Sequence, residues 1–182
     1  ANIGRGADSA RYRFQWNFPL FFSPHEKKRL YAAANVLFCT EDEGISWKQI
    51  SPDITRDDKS KQKASGGIIT KDNTGVETYA TIFAACESPY EKDLLWCGSD
   101  DGLMHVSRDG GKNWSNVTPK GMPEWMMFNC LEPDPFTKGG LYAVGTTYKL
   151  DDYAPYIYYT NNYGATWTKI TNGINNLHFT RA

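Results

Sequence analysis

The 182-residue chain is short of the features that announce chemistry. Its four cysteines, Cys39, Cys86, Cys97 and Cys130, form no C-x-x-C pair and no zinc-ligand spacing, which excludes a zinc ribbon or finger. His25, His105 and His178 stand isolated in sequence, and no Asp-x-Asp-x-Asp ladder occurs, so neither a transition-metal nor an EF-hand calcium site is expected. No G-x-x-x-x-G-K-[ST] loop and no nucleophile elbow is present, and no nucleotide or other cofactor is expected. Charge of one sign is also missing. Lys and Arg number 20 against 21 Asp and Glu, a net charge of −1, which argues against a nucleic-acid or anionic-membrane footprint. No apolar run approaches the roughly 20 residues that span a bilayer. The opening "ANIGRGADSARYR" has no apolar signal segment and no initiator Met, so a mature or excised piece is expected.

What the chain does have is aromatic and turn-forming. Aromatics make up 14%, with 6 Trp and 11 Tyr beside 16 Gly, a mixture suited to many short strands joined by tight turns. The cysteines lie in strand-like contexts such as "TIFAACES" and "LLWCGS". They read as small buried hydrophobes, or, for Cys86 and Cys97, as a cross-strand disulfide if those two runs form a hairpin.

One short stretch, "VSRDGGKNW", repeats its spacing. A hydroxyl, an Asp or Asn, a Gly and a Trp stand at offsets 0, 2, 4 and 7 in Thr40/Asp42/Gly44/Trp47, in Ser107/Asp109/Gly111/Trp114 and in Thr160/Asn162/Gly164/Trp167. A second marker precedes each copy: Pro24 and Leu30, Pro89 and Leu95, and Pro135 and Leu141 are each six apart, with an aromatic after the Leu. The chain is thus three copies of one unit at a period of about 55 to 65 residues, the length of a four-stranded propeller blade.

Each unit divides into four strands. The first are expected over Phe18–Phe22, Tyr79–Cys86 and Met126–Leu131, the second over Leu30–Ala34, Leu94–Gly98 and Leu141–Thr146. The third are expected over Val36–Thr40, Leu103–Ser107 and Tyr156–Thr160, and the fourth over Ser46–Ile50, Asn113–Val117 and Thr166–Ile170. The organisation that follows is a tail over 1–11, blade 1 over 12–50, a long connection over 51–78, blade 2 over 79–118, blade 3 over 119–172 with an insertion at 147–156, and the start of a truncated next blade over 173–182. The fold class is all-β: a partial propeller of four-stranded antiparallel sheets.

The repeated motif falls on the turn between strands three and four, and its chemistry is that of a clasp. The Asp or Asn accepts backbone N–H bonds as in an Asx turn, the Gly supplies a positive φ, and the hydroxyl adds a local bond. The Trp leads the next strand and can pack against a neighbouring sheet. A ligand loop would not be expected in every copy, so these twelve residues are read as structural.

The repeats resemble Asp-boxes, the bacterial neuraminidase repeat. The surrounding text, including "LLWCGSDDGLMHVSRDGGKNWSNVTP" and "YKLDDYAPYIYYTNNYGATWTKI", resembles sortilin-like propeller proteins from about Tyr12 onward. That resemblance implies a β-propeller but no particular activity, because sialidases, xyloglucanases, sortilins and photosystem assembly factors share the repeat. Three blades do not close a ring. The resemblance therefore implies a partner, the remainder of the propeller, as missing blades or another chain, and a secreted, periplasmic or cell-surface setting.

Topology gives the expected binding face. Loops between strands two and three, and from blade to blade, emerge opposite the clasps. They collect aromatics beside polar groups, and Arg13, Trp16, Trp125, Tyr148, Asp152 and Tyr153 are the candidate ligand-binding residues for a glycan or peptide. The spacing from the marker Leu to the clasp hydroxyl is 10 and 12 in the first two units and 19 in the third, so the insertion is the strongest loop candidate. Two functions stay open. One is a binding or scaffold propeller. The other is a glycoside hydrolase, xyloglucanase- or sialidase-like, which needs two carboxylates flanking the scissile bond. Its candidates are one of Asp100 and Asp101 with one of Asp151 and Asp152, although an Asp-Asp-Gly run is equally the signature of a tight turn.

Overall fold

A computed structural model describes residues 6–63 and 78–181. The SGG segment of the long connection lies outside the described residues. Among these residues, twelve strands form three separate four-stranded antiparallel sheets, each a simple meander. The first holds β1 (Leu20–Phe22), β2 (Leu30–Ala33), β3 (Leu37–Thr40) and β4 (Lys48–Gln49). The second holds β5 (Ile82–Glu87), β6 (Leu95–Ser99), β7 (Met104–Ser107) and β8 (Ser115–Asn116). The third holds β9 (Met127–Pro133), β10 (Leu141–Thr147), β11 (Asp152–Thr160) and β12 (Thr168–Lys169). The all-β blade architecture expected from the repeats is therefore the architecture observed.

The register repeats with the sequence. The marker Leu pairs with the clasp hydroxyl in every sheet: Leu30 with Thr40, Leu95 with Ser107 and Leu141 with Thr160. Because strand side chains alternate between faces, one register fixes which residues look towards which neighbour. In β6, Leu95 and Cys97 join Tyr31, Ala33, Leu37, Ile54 and Ile82 in the core between the first two sheets. Trp96, between them, points the other way, into the core shared with Met104, Val106, Phe128, Leu131, Leu141 and Ala143 of sheets two and three. Burying each large apolar side chain contributes about 1.5–3 kcal/mol, so these two seams are where the sheets are held side by side.

The clasps close as their residue types require. Thr40 Oγ1 donates to Asp42 Oδ1 at 2.8 Å and accepts from the Gly44 N–H at 3.1 Å, while Asp42 accepts from the Ser46 N–H and hydroxyl at 2.9 and 2.6 Å. The second copy repeats this with Ser107, Asp109, Gly111 and Asn113. In the third, Asn162 accepts from Thr160 and the Thr166 N–H, and its amide donates to the Thr166 hydroxyl, a bond reversed in polarity because Asn has protons to give.

The tryptophans latch sheet to sheet. Trp114 Nε1 donates to the Ile50 carbonyl of the preceding sheet at 2.9 Å, and Trp167 Nε1 donates to the Val117 carbonyl at 2.7 Å. The clasp glycines approach the same strand ends. A Cβ on Gly111 would lie 2.6 Å from Ile50 O, and one on Gly164 would lie 2.6 Å from Val117 Cβ, with φ of +91° and +78°. No other residue fits both the backbone angle and the gap.

Four expectations need correction. Cys86 and Cys97 are not bonded: all four cysteines are free, and in the β5–β6 register Cys97 faces Ala85 while Cys86 faces Trp96. The outer strands are two residues long rather than five, since the clasp extends through the Trp. The insertion of blade 3 is mostly strand: β11 begins at Asp152, and only Tyr148–Leu150 and Asp151, at φ +59°, make the turn. Its Tyr-rich run suits a pleated surface and lengthens the hairpin. Residues 173–181 form turns rather than a strand. They fold back on blade 3, where the Tyr156 N–H donates to Thr180 Oγ1 at 3.0 Å.

Candidate functional site

The face opposite the clasps carries a cavity of about 370 Å³. It is lined by Gln15, Lys61, Tyr79, Phe83, Asp100, Trp125, Met127 and residues 146–150. Blade 3 supplies one wall. β10 runs longer than its counterparts, and its final Thr146 and Thr147 lead directly into Tyr148. Trp125 stands just before β9 at φ +64°, an angle a bulky residue adopts only when its surroundings hold it there. The surroundings are visible: Arg56 and Lys61 lie over the Trp125 ring at 4.5 and 4.7 Å from its centroid. Such cation–π contacts contribute about 0.5–1 kcal/mol each where exposed.

The long connection supplies the rim. It leaves blade 1 and crosses the end of blade 2, where the Arg56 N–H donates to Asp101 Oδ2 at 2.8 Å and its Nε donates to the Asp101 carbonyl at 2.7 Å. Beyond that anchor, Asp58 caps a short 3-10 turn over Lys59–Lys61 by accepting the Ser60 N–H. That turn delivers Lys61 to the cavity. Lys149 also lines the cavity, its ammonium 6.0 Å from the Tyr148 ring centroid, so two lysines stand among the aromatic rings.

The acidic candidates turn inward. Asp100 accepts from the Thr81 N–H and hydroxyl, both at 2.8 Å, and lines the floor while almost wholly buried. Burial pushes its carboxyl up to about 7, with the neighbouring Asp101 charge adding to the rise and the Thr81 bonds opposing it. Asp101 is fully buried, accepts from Ser99 Oγ at 2.6 Å and from the Arg56 N–H, and is also raised by burial. Asp152 accepts from the Tyr156 hydroxyl at 2.5 Å and the Ala154 N–H at 3.0 Å, and these bonds hold it below the usual carboxylate range. Asp151 is the exposed hinge of the turn. The paired aspartates therefore serve turns and hairpin ends, and of the four only Asp100 lines the cavity.

The ligand-binding candidates separate into two groups. Trp125 and Tyr148 come together in the cavity wall. Arg13 does not belong there, and its reading as a ligand residue is corrected. It is 2% exposed, with ion pairs to Asp53 at 2.7 Å and Asp57 at 2.9 Å and an Nε bond to the Ala80 carbonyl at 2.9 Å. A guanidinium buried among these partners locks the N-terminal segment to the connection and to blade 2. Trp16, 63% exposed, lies outside the cavity lining. Tyr153 lies on β11, where its ring and that of Tyr148 both meet Phe179, at 6.4 and 5.5 Å. Lys61 and Tyr79 were not legible as site residues. The only signal for Lys61 was Asp58 two residues before Ser60, a capping pattern inside a charged run that reads as solvated.

A larger hollow of about 490 Å³ lies on the clasp face between blades 1 and 2. Its size does not make it the better site. Arg29 in its wall is paired with Glu41 at 2.8 Å and Asp93 at 2.9 Å, and Asp42 and Asp109 are committed to their clasps. Among the described residues no group of three or more His, Cys, Asp or Glu is placed to hold a metal ion, and no helix is long and apolar enough to cross a membrane.

With three meander sheets packed side by side, the chain is built as β-propeller blades, and solved structures agree. An ancestral GH74 enzyme superposes with a TM-score of 0.59 at 12% identity, over 91% of this chain and 19% of that one. The GH74 xyloglucanase from Xanthomonas campestris superposes with a TM-score of 0.55 at 18% identity, over 84% of this chain and 22% of that one. YCF48 from Cyanidioschyzon merolae follows with a TM-score of 0.46 at 18% identity, over 84% and 37%. The chain thus spans about a fifth of the length of the two GH74 structures. No protein-family model matches the sequence, and no curated protein does.

Proposed function

We propose that the chain is the binding or scaffold portion of a larger Asp-box β-propeller, and that the loop-face cavity holds an extended peptide. The observation that carries this reading is the lining itself. Tyr148, Tyr79 and Phe83 offer ring surface, and Lys61 and Lys149 add two cationic side chains to the lining, with Lys61 and Arg56 held over Trp125. Apolar walls with a few convergent polar groups are the usual make-up of a ligand site, and two cations favour a segment with acidic side chains. A glycan is the weaker occupant, because a sugar stacking on Trp125 competes with the Arg56 and Lys61 head groups already over its ring.

The glycoside hydrolase reading finds less support. General acid and base need carboxylates free to exchange protons with the substrate, whereas Asp100, Asp101 and Asp152 accept internal hydrogen bonds. The test is a titration of the chain with a library of acidic peptides and a panel of oligosaccharides, read by tryptophan fluorescence. Peptide binding that weakens at least tenfold in Lys61→Glu/Lys149→Glu is the expected result. Binding of oligosaccharides alone, or hydrolysis that Asp100→Asn abolishes, would replace this reading with the glycan or hydrolase one.

A further inference from the structure

The Asp-Asp-Gly run of blade 2 shapes the Trp125 corner of the loop-face cavity in two ways. Gly102 leaves room for the left-handed backbone of Trp125: a Cβ on it would lie 3.1 Å from the Trp125 N and 3.2 Å from its Cα. Asp101 fixes Arg56 by its carboxylate and its carbonyl. With the Arg56 Nε engaged there, the guanidinium comes to rest over the Trp125 ring, and Lys61 joins it.

These cations have no firmly held acid. Arg13 and Arg29 each hold two carboxylates, at distances from 2.7 to 2.9 Å. Arg56 holds one, Glu124, at 3.3 Å, and that side chain is 69% exposed. Among the described residues Lys61 and Lys149 form no ion pair, and their ammonium groups meet the rings of Trp125 and Tyr148. The acids close by are engaged elsewhere. Asp58, three residues before Lys61, accepts from the Ser60 N–H and hydroxyl. Asp57 serves Arg13, Lys59 and Gln62.

We propose that Glu124 is an internal stand-in for the acidic group of the ligand. It partners Arg56 when no peptide is bound, and a carboxylate of the bound peptide displaces it and bridges Arg56 and Lys61 beside the Trp125 ring. The exchange favours the ligand on physical grounds. An exposed ion pair is weak, so Glu124 returns to water at little cost. A carboxylate that reaches both cations gains charge-assisted hydrogen bonds from each. The inference rests on the reading of the cavity as a peptide site, and adds where the acidic side chain is held and what it displaces.

Calorimetric titration with an acidic peptide selected from the library above tests it. Glu124→Gln frees Arg56, so the peptide should bind about two- to fivefold more tightly, the range an exposed ion pair allows. A version of the peptide with its carboxylates converted to amides should bind wild type and Glu124→Gln alike. Glu43→Gln makes the same change of charge at an exposed position in the first clasp, and should leave the affinity unchanged. Equal or weaker binding by Glu124→Gln overturns the proposal and leaves the peptide reading standing. An equal gain in Glu43→Gln also overturns it, because the effect is then one of overall charge. If no acidic peptide binds the wild-type chain, the peptide reading falls and this proposal falls with it.

Discussion

The middle sheet is covered on both faces and each flanking sheet on one, though all three are built from the same repeat. Trp96 in β6 is sealed between Met104 and Phe128, while Tyr142 at the same repeat position stands open. Trp114 reaches a carbonyl, and Trp47 among the described residues has none to reach. The difference teaches that the clasp is two devices in one. Its hydroxyl, Asp or Asn, and Gly close a turn locally, and that half is complete in all three copies. Its Trp and the near face of its Gly complete a seam, and that half needs a neighbour.

Substitution can break this comparison. Trp96→Ala should cost the most, about 3–5 kcal/mol, the range for emptying a large aromatic site in a core. Tyr142→Ala should cost only about 1 kcal/mol, chiefly its ring contact with Tyr159 at 4.6 Å, and urea denaturation measures both. If the two costs prove equal, blade 3 is covered and the comparison fails. Arg13→Ala should cost about 1.5–3 kcal/mol, because it removes the buried guanidinium's charged bonds to Asp53 and Asp57 while those carboxylates keep partial contact with water. A ligand-contacting arginine would instead lower affinity at unchanged stability.

A smaller contrast lies in the clasp glycines. Gly111→Ala meets both a positive φ and the Ile50 carbonyl, whereas Gly44→Ala meets only the positive φ. The second change should cost about 1 kcal/mol, in line with forcing a side chain into the left-handed region, and the first clearly more. Thermal melts of the two variants side by side give the difference directly.

The smallest effect is in acid. Hydrogen bonds from Ser46 pull the Asp42 carboxyl down to about 2, and those from Asn113 do the same for Asp109. A depressed carboxylate stabilises the fold above its unfolded value of about 3.9 and loses that contribution as pH falls through the folded value. Stability should therefore drop between about pH 4 and pH 2, and Asp109→Asn should flatten that slope. Blade 3 carries Asn162 at this place and contributes nothing to it. Asp100 has the opposite sign. Its folded value, raised to about 7 by burial, makes its contribution fullest below about pH 4 and lost as pH rises towards 7. Asp100→Asn should level the stability profile across that window, read by urea denaturation at a series of pH values.

Much of this was legible in the residues. Three hydroxyl–Asx–Gly–Trp turns and three Pro-to-Leu markers fixed the number of sheets, the order of strands and the place of each clasp, because every one is a local requirement of backbone angle or hydrogen bond. The loop face and the meeting of Trp125 with Tyr148 also followed, since strand direction alone decides at which end a connection emerges. Arg13 was misread as surface because nothing local shows that Asp53 and Asp57 surround it, some forty residues away. Lys61 was missed for the same reason.

Sequence by itself settled whatever depends on neighbours a few residues apart: turn, clasp, strand and the alternation of faces. Only the tertiary structure decided which of those faces is covered, which charges are buried and which side chains wall the cavity. Those outcomes depend on what lies across a seam, and contacts between residues far apart in the chain leave no period to read.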